Sequence, residues 1–255
     1  MLIETTLTSR NISFNGRESP FKKKTAMEAA TIADKINVEE FKSWLTRSKT
    51  TRDLFRWDCP DATAYTLLCI AYRREVEVRG MQAEGVDKVF DYLKTIAQSM
   101  TSRSTKCGIL LCGNCGNGKT TSMNAFVSVC KYLDGIKRGW EIRSRSVTSP
   151  MVIEVTSARR LTQIAKDETC MSEAKKAHVL CIDDVGLEPT EVLDYGNAIN
   201  PVIEIIEHRY RQQLFTFITT NLTPKQIREK YGDRIADRFN EMMKSIVYEN
   251  PTFRR

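Results

Sequence analysis

The run Gly113-Asn114-Cys115-Gly116-Asn117-Gly118-Lys119-Thr120 satisfies the pattern G-x-x-x-x-G-K-[ST] at every fixed position. Each residue type has a physical reason to stand there. The glycines let the backbone wrap an anion so that its N–H groups point inward. The stretch that follows, Thr121 to Tyr132, can form a helix whose positive end faces the same anion. Lys119 supplies a point charge near the β- and γ-phosphates of a nucleoside triphosphate. The hydroxyl of Thr120 suits Mg²⁺, which takes oxygen ligands. Gly113, Asn114, Cys115, Gly116, Asn117, Gly118, Lys119, Thr120 and Thr121 are therefore the expected contacts of a bound nucleotide's phosphates.

A second group of chemically capable residues lies downstream. Val179-Leu180-Cys181-Ile182-Asp183-Asp184 reads as an apolar strand that delivers two carboxylates at its C-terminal tip. In that position Asp183 is expected to hold Mg²⁺, through water, and Asp184 to polarise an attacking water. The run Phe215-Thr216-Phe217-Ile218-Thr219 leads into Thr220-Asn221. A strand-tip amide beside a phosphate loop can hold the lytic water or the γ-phosphate; Asn221 could equally serve as a turn residue or helix cap before Thr223-Pro224. Arg234 and Arg238 lie four apart and share one helix face. They could pair with Asp233 or Asp237, or act as an arginine finger donated to a neighbouring subunit.

Other reactive residues carry less. Cys112 and Cys115 form a C-x-x-C pair, but it overlaps the phosphate loop and no second pair stands at zinc-binding spacing. The eight cysteines are scattered, and several sit in apolar runs, as reduced and buried thiols do. His178 and His208 have no partner pattern and read as surface or helix-end residues.

Short apolar runs must position these groups. Gly108–Cys112, Val152–Thr156, Val179–Ile182 and Leu214–Thr219 alternate with helical stretches, the texture of a parallel sheet with crossover helices. Upstream, residues 1–24 read as an irregular arm and 25–104 as a helical region. Asp61 can cap a helix in which Tyr65, Leu68, Tyr72 and Val76 recur, with Gly80 at its end. A second amphipathic segment runs from Val86 to Met100, followed by a polar linker, Ser102 to Lys106. Residues 105–255 are expected to form the nucleotide-binding domain, with Tyr248–Arg255 as a tail.

Composition bounds the rest. The chain has 255 residues, 41% hydrophobic and 28% charged, which excludes collagen-like and wholly disordered chains. Its longest nearly apolar stretch, Ala62–Tyr72, falls far short of the roughly 20 residues of a membrane span. Met1–Arg10 lacks the apolar core of a secretory signal. No membrane association is expected, and the cytoplasm is the expected location. The net charge of +7 permits nucleic-acid binding without requiring it. A local excess of basic residues between Lys131 and Arg160 reads either as a solvated face or as a DNA-facing surface.

Taken together, the phosphate loop, Ile182-Asp-Asp-Val-Gly186, Thr219-Thr-Asn221 and Gly232-Asp-Arg-Ile-Ala-Asp-Arg238 resemble AAA+ ATPases of the DnaC/IstB type. These are bacterial replicative helicase loaders and their transposition-helper relatives. The resemblance covers about residues 105–248. It implies a P-loop NTPase fold of the AAA+ type, with a five-stranded parallel sheet flanked by helices. It also implies binding of ATP and Mg²⁺, ATP hydrolysis, and self-association into an ATP-dependent spiral oligomer. Arg234 matches the family's finger position best and Arg238 second. Residues 25–104 occupy the place where loaders grip a replicative DNA helicase, and single-stranded DNA would be the other partner.

Three features depart from the pattern. Asp184 stands where many AAA+ proteins carry Glu. Ser157–His178 is short for the DNA-facing helical insert of initiators and loaders, although Arg159, Arg160, Lys166, Lys175 and Lys176 could still meet phosphates. No helical lid domain is expected after Arg238, where Tyr248–Arg255 reads as a tail. The expected function is that of a helicase loader in DNA replication. An IstB-like transposition helper and a nucleotide-gated adaptor with little hydrolysis are the alternatives.

Overall fold

A computed structural model describes residues 37–48, 54–80, 87–102, 104–136, 140–141, 150–189, 192–194 and 197–253. The expected arm at 1–24, and residues 137–139 and 142–149 of the basic stretch between Lys131 and Arg160, lie outside the described residues. The chain divides into two compact units, Met1–Thr51 and Arg52–Arg255. In the first unit, Val38–Ser48 is a helix (α1) that starts on a local cap: the Asn37 side chain accepts from the Glu39 and Glu40 amides.

The second unit is built on a five-stranded parallel sheet. Its strands are Gly108–Gly113 (β2), Ile153–Ser157 (β4), Val179–Val185 (β5), Phe215–Thr220 (β8) and Met243–Tyr248 (β9), in the order β4-β5-β8-β2-β9. The central strands are near-continuous apolar runs because both faces are covered. Alternate residues serve opposite faces. Ile109, Leu111, Val179, Cys181, Phe215 and Phe217 join one core, whereas Leu110, Cys112, Leu180, Ile182 and Ile218 join the other.

Helices fill both sides. The first core takes in the helix Lys119–Gly135 (α4), through Phe126 and Met123, and two helices from upstream, Asp61–Val78 (α2) and Asp87–Thr101 (α3). The buried stripe of α2 is Ala64, Leu68, Tyr72 and Val76, one residue per turn; that of α3 is Val89, Leu93, Ile96, Ala97 and Met100. A two-residue ribbon, Arg56–Trp57 (β1) with Trp140–Glu141 (β3), lies on the same side, and Trp57 stacks on Phe126. The second core is closed by Ala158–Gln163 (α5), Glu168–Lys176 (α6), Pro201–Gln212 (α7), Pro224–Tyr231 (α8) and Asp233–Met242 (α9). A small hairpin, Val192–Asp194 (β6) with Asn197–Ile199 (β7), precedes α7.

This packing moves the expected domain boundary. The helices Asp61–Val78 and Asp87–Thr101 share one hydrophobic core with the sheet, so the division falls near residue 52 and not at 104. The apolar stripes of α2 and α3 are buried against α4 and β9. The linker is also held: Arg56 donates to the carbonyls of Ser102, Ser104 and Lys106 at 3.0, 2.6 and 2.7 Å.

One buried charge ties the second core together. The Arg209 guanidinium, fully buried, donates to the Ala174, Lys175 and Ala177 carbonyls at the end of α6, and to Phe215 O and Thr216 Oγ1. It thereby satisfies orphan carbonyls at a helix C-terminus, where a cation is favoured. Burial lowers its pKa to about 9.

Candidate nucleotide site

The phosphate loop connects β2 to α4, as the sequence pattern requires. Gly113 and Gly118 have φ of 142° and 96°, backbone that other residues rarely adopt. A side chain at Gly113 would overlap the Tyr248 carbonyl, and one at Gly118 would run into the Tyr72 hydroxyl. Both neighbours come from elements outside the loop's own motif. Lys119 is buried, and its ammonium donates to the carbonyls of Gly113 and Asn114, each at 2.7 Å, and to Asn117 Oδ1 at 3.0 Å. Burial lowers its pKa, while the Cys115 thiol and the carboxylates of Asp184 and Asp183 act in the opposite direction.

A second layer holds the loop from behind. Asn117 is fully buried and donates from Nδ2 to Tyr248 O at 3.1 Å. Asn250 Nδ2 donates to Asn117 O at 3.0 Å, and the Phe253 amide donates to Gly116 O at 2.8 Å. The segment 248–253, expected only as a tail, is thus bonded to the phosphate loop along its length. These partners lie more than 130 positions away in the chain, and no local spacing announces them.

The double acid sits at the tip of β5, beside the loop. Thr120 Oγ1 donates to Asp183 at 2.9 Å (Oδ1) and 3.2 Å (Oδ2). The hydroxyl and carboxylate thus converge as two oxygen donors, a set that suits a hard cation also ligated by phosphate and water. Among the described residues, no cluster of three or more His, Cys, Asp or Glu side chains could hold a metal ion by itself.

A bulge separates the two acids. Ile182 pairs with Ile218 and Val185 with Thr220, so β5 carries one residue more than β8 across this interval. Asp184 takes the strain, with φ of 55°. Its amide, out of the ladder, donates to Thr219 Oγ1 at 2.9 Å, and the same hydroxyl donates to Asp183 Oδ1 at 2.5 Å. Thr220 Oγ1 donates to Val185 O at 2.5 Å. Thr219 and Thr220 therefore fasten the tip of β5, a role that their ordinary strand chemistry does not advertise.

Asn221 follows directly, at the end of β8. Helix α8 is capped by a Thr223–Gln226 capping box, so Asn221 is not its cap. Asn221 and Asn114 border a cavity of about 670 Å³ lined by Leu110, Ile227, Phe239 and Val247.

The two late arginines behave differently from each other. Both reach Glu207 on α7, Arg234 at 3.2 Å and Arg238 at 2.5 Å. Arg238 Nη1 is buried and forms an ion pair with Glu207 without a hydrogen bond. Arg238 is 14% exposed in its side chain and lies over the Tyr210 ring at 5.2 Å, whereas Arg234 is 72% exposed. Asp233 and Asp237, the partners considered from sequence, are taken instead by Arg228. The pair Cys112 and Cys115 is split: Cys112 is buried, with burial raising its pKa to about 11, and Cys115 is exposed. His178 follows α6, is partly buried, and accepts a hydrogen bond from the Val152 amide at 2.9 Å.

Residues 81–245 match the model of IstB-like ATP binding proteins. The chain belongs to this family. It is similar to the replicative helicase loader DnaI of Bacillus subtilis (strain 168), with 24% identity over 168 residues, 63% of this chain and 48% of the relative. The match therefore spans about half the length of that curated relative. Among solved structures, a crystal structure of DnaI shares 21% identity at a TM-score of 0.46, covering 67% of this chain and 85% of that one. A crystal structure of the DnaC helicase loader shares 19% identity at a TM-score of 0.47, covering 64% and 90%. As a member of this family, the IstB-like chain is an ATP-binding protein, here built on a five-stranded parallel sheet flanked by helices. Among the described residues, no helix is long and apolar enough to cross a membrane.

Proposed function

We propose that the chain is an ATP-hydrolysing switch that loads a hexameric replicative helicase onto single-stranded DNA. The observation that carries the catalytic part is the convergence of Thr120 and Asp183 beside Lys119, with Asp184 displaced by the bulge. ATP and Mg²⁺ fit this donor set: a glycine-lined backbone cradle, one buried ammonium, and a hydroxyl beside a carboxylate. Bound Mg²⁺ would draw charge from the phosphate oxygens and so ease transfer of the terminal phosphoryl group.

The chain's own groups divide the remaining work. Gly113 to Thr121 bind and orient the triphosphate, and Lys119 exchanges loop carbonyls for phosphate oxygens. Thr120 and Asp183 would hold the metal. Asp184 accepts a proton from the attacking water, and Asn221 orients that water or the γ-phosphate. Arg234 neutralises developing charge on a neighbouring subunit's nucleotide, and its exposure supports that role. Arg238, nearly buried against Glu207 and Tyr210, holds α9 in place.

Similarity to DnaI supports the loader reading, with the replicative helicase as partner through residues 25–104 and cytoplasmic action on single-stranded DNA. Since α2 and α3 belong to the nucleotide-binding core, the partner contact is assigned chiefly to residues upstream of 52. Mixing the protein, ATP and its host's replicative helicase should give a complex that co-migrates on size exclusion. Failure to bind any replicative helicase of the host would sink the loader reading while leaving the ATPase intact. Membership of the IstB-like family favours a second reading, a transposition helper. Preference for duplex DNA in a salt-dependent binding assay would select it.

A further inference from the structure

Beyond the acids themselves, the turn that follows them is held by a buried ionic cluster. Glu188 is 3% exposed, and its side chain is completely buried. Glu188 Oε2 accepts from the Gly186 amide at 2.8 Å, and Oε1 accepts from the Tyr231 hydroxyl. Lys230 Nζ donates to the carbonyls of Gly186 and Glu188 at 2.7 and 2.6 Å, and lies 3.4 Å from Glu188 Oε1. Both polar groups of the Gly186 backbone are thereby fixed. Within this turn the Leu187 amide donates to Asp184 O at 3.2 Å.

Such a cluster is not needed for stability alone, because apolar residues of similar volume commonly replace a buried ion pair at little cost. What it supplies is geometry. Asp184 and Gly186 have φ of 55° and 111°, and a non-glycine residue persists in the left-handed region only where its surroundings over-determine it. Lys230 and Tyr231 end α8, directly before Gly232 and the helix that carries Arg234. The cluster thus touches both the turn after the acid and the joint before the arginine helix.

We infer that Glu188 is a positioning residue: anchored by Lys230 and Tyr231, it fixes the Gly186 turn and through it the placement of Asp184. The inference rests on the hydrolytic reading above, so turnover of the wild-type full chain is measured first. Its absence overturns that reading and this one with it. In a chain that turns over, Glu188→Gln should lower kcat about 10-fold or more, with the affinity for a non-hydrolysable ATP analogue kept within about 2-fold. Lys230→Met should act in the same way, and Lys230→Arg should recover part of the loss. In an Asp184→Asn background, Glu188→Gln should remove little further turnover, because it acts through Asp184. Should Glu188→Gln not fold, Tyr231→Phe, which deletes one hydroxyl, should lower kcat by about 2- to 5-fold on the same terms. Undiminished kcat in the folded variants, a loss confined to KM, or a full additive loss in the Asp184→Asn background would overturn the positioning role and leave the ATPase reading standing.

Discussion

Thr120 Oγ1 and Asp183 Oδ1 stand 2.9 Å apart although 63 positions separate them in the chain. This contact joins the phosphate loop to the acidic strand tip and predicts a shared ion. Replacing Asp183 with Ala should weaken binding of a non-hydrolysable ATP analogue about 10- to 100-fold and abolish its Mg²⁺ dependence. Lys119→Ala should bind no analogue in either condition. Calorimetric titration with and without Mg²⁺ measures both.

Asp184 is assigned a different task from its neighbour, and the two substitutions should separate. Asp184→Asn should bind ATP with Mg²⁺ like the wild type and lose turnover by about 10²- to 10⁴-fold, the range for a removed general base. Single-turnover phosphate release alongside equilibrium binding tests this. Wild-type hydrolysis in the variant would remove Asp184 from the mechanism.

The two arginines should part company as well. Arg234→Ala, at an exposed ion pair, should change unfolding free energy by no more than about 1 kcal/mol yet lose ATP turnover. Mixing it with Lys119→Ala should restore activity, since each variant keeps the half-site that the other lacks. Arg238→Ala should lower the melting temperature through the lost Glu207 and Tyr210 contacts. Denaturation curves and mixed-subunit assays decide between them.

Arg209 predicts a stability effect with no catalytic content. Arg209→Met would leave the carbonyls of Ala174, Lys175, Ala177 and Phe215 without their donor, and should cost about 3–5 kcal/mol in chemical denaturation. An unchanged midpoint would show that water replaces the guanidinium.

His178 gives a pH dependence. Burial, and then the nearby Arg209 charge, lower its pKa below the ordinary value, with Asp134 opposing. The neutral ring is the form that accepts from Val152. Its contribution is therefore complete above about pH 6.5, the unfolded value, and is lost as pH falls through the lower folded value. Thermal melts between pH 5 and 8 should show this loss, and His178→Asn, which keeps an acceptor but does not titrate, should flatten it.

Much of the fold and of the site is legible in the order of the residues alone. The loop's glycines, Lys119 and Thr120 are spaced by local geometry, and the apolar run into Asp183 announces a buried strand, so both sides of the site can be read in one dimension. Met243–Tyr248 cannot. Its burial alternates irregularly, with Lys244, Ser245 and Val247 exposed, because among the described residues it is an edge strand paired to β2 alone. The apolar stripes of α2 and α3 are evident, but a stripe does not say what it will cover. Asn117, Thr219, Glu188 and Asn250 act through partners chosen by the fold, and their residue types are common in loops and strands everywhere.

The burial of Leu68, Tyr72, Leu93 and Ile96 against the P-loop helix and β9 has a practical side. A fragment cut at residue 105 would lay bare the greasy flank of its own P-loop helix and should precipitate or need detergent. A fragment opening near residue 52 carries its own cover, and is the shortest piece from which crystallisation or nucleotide assays should begin.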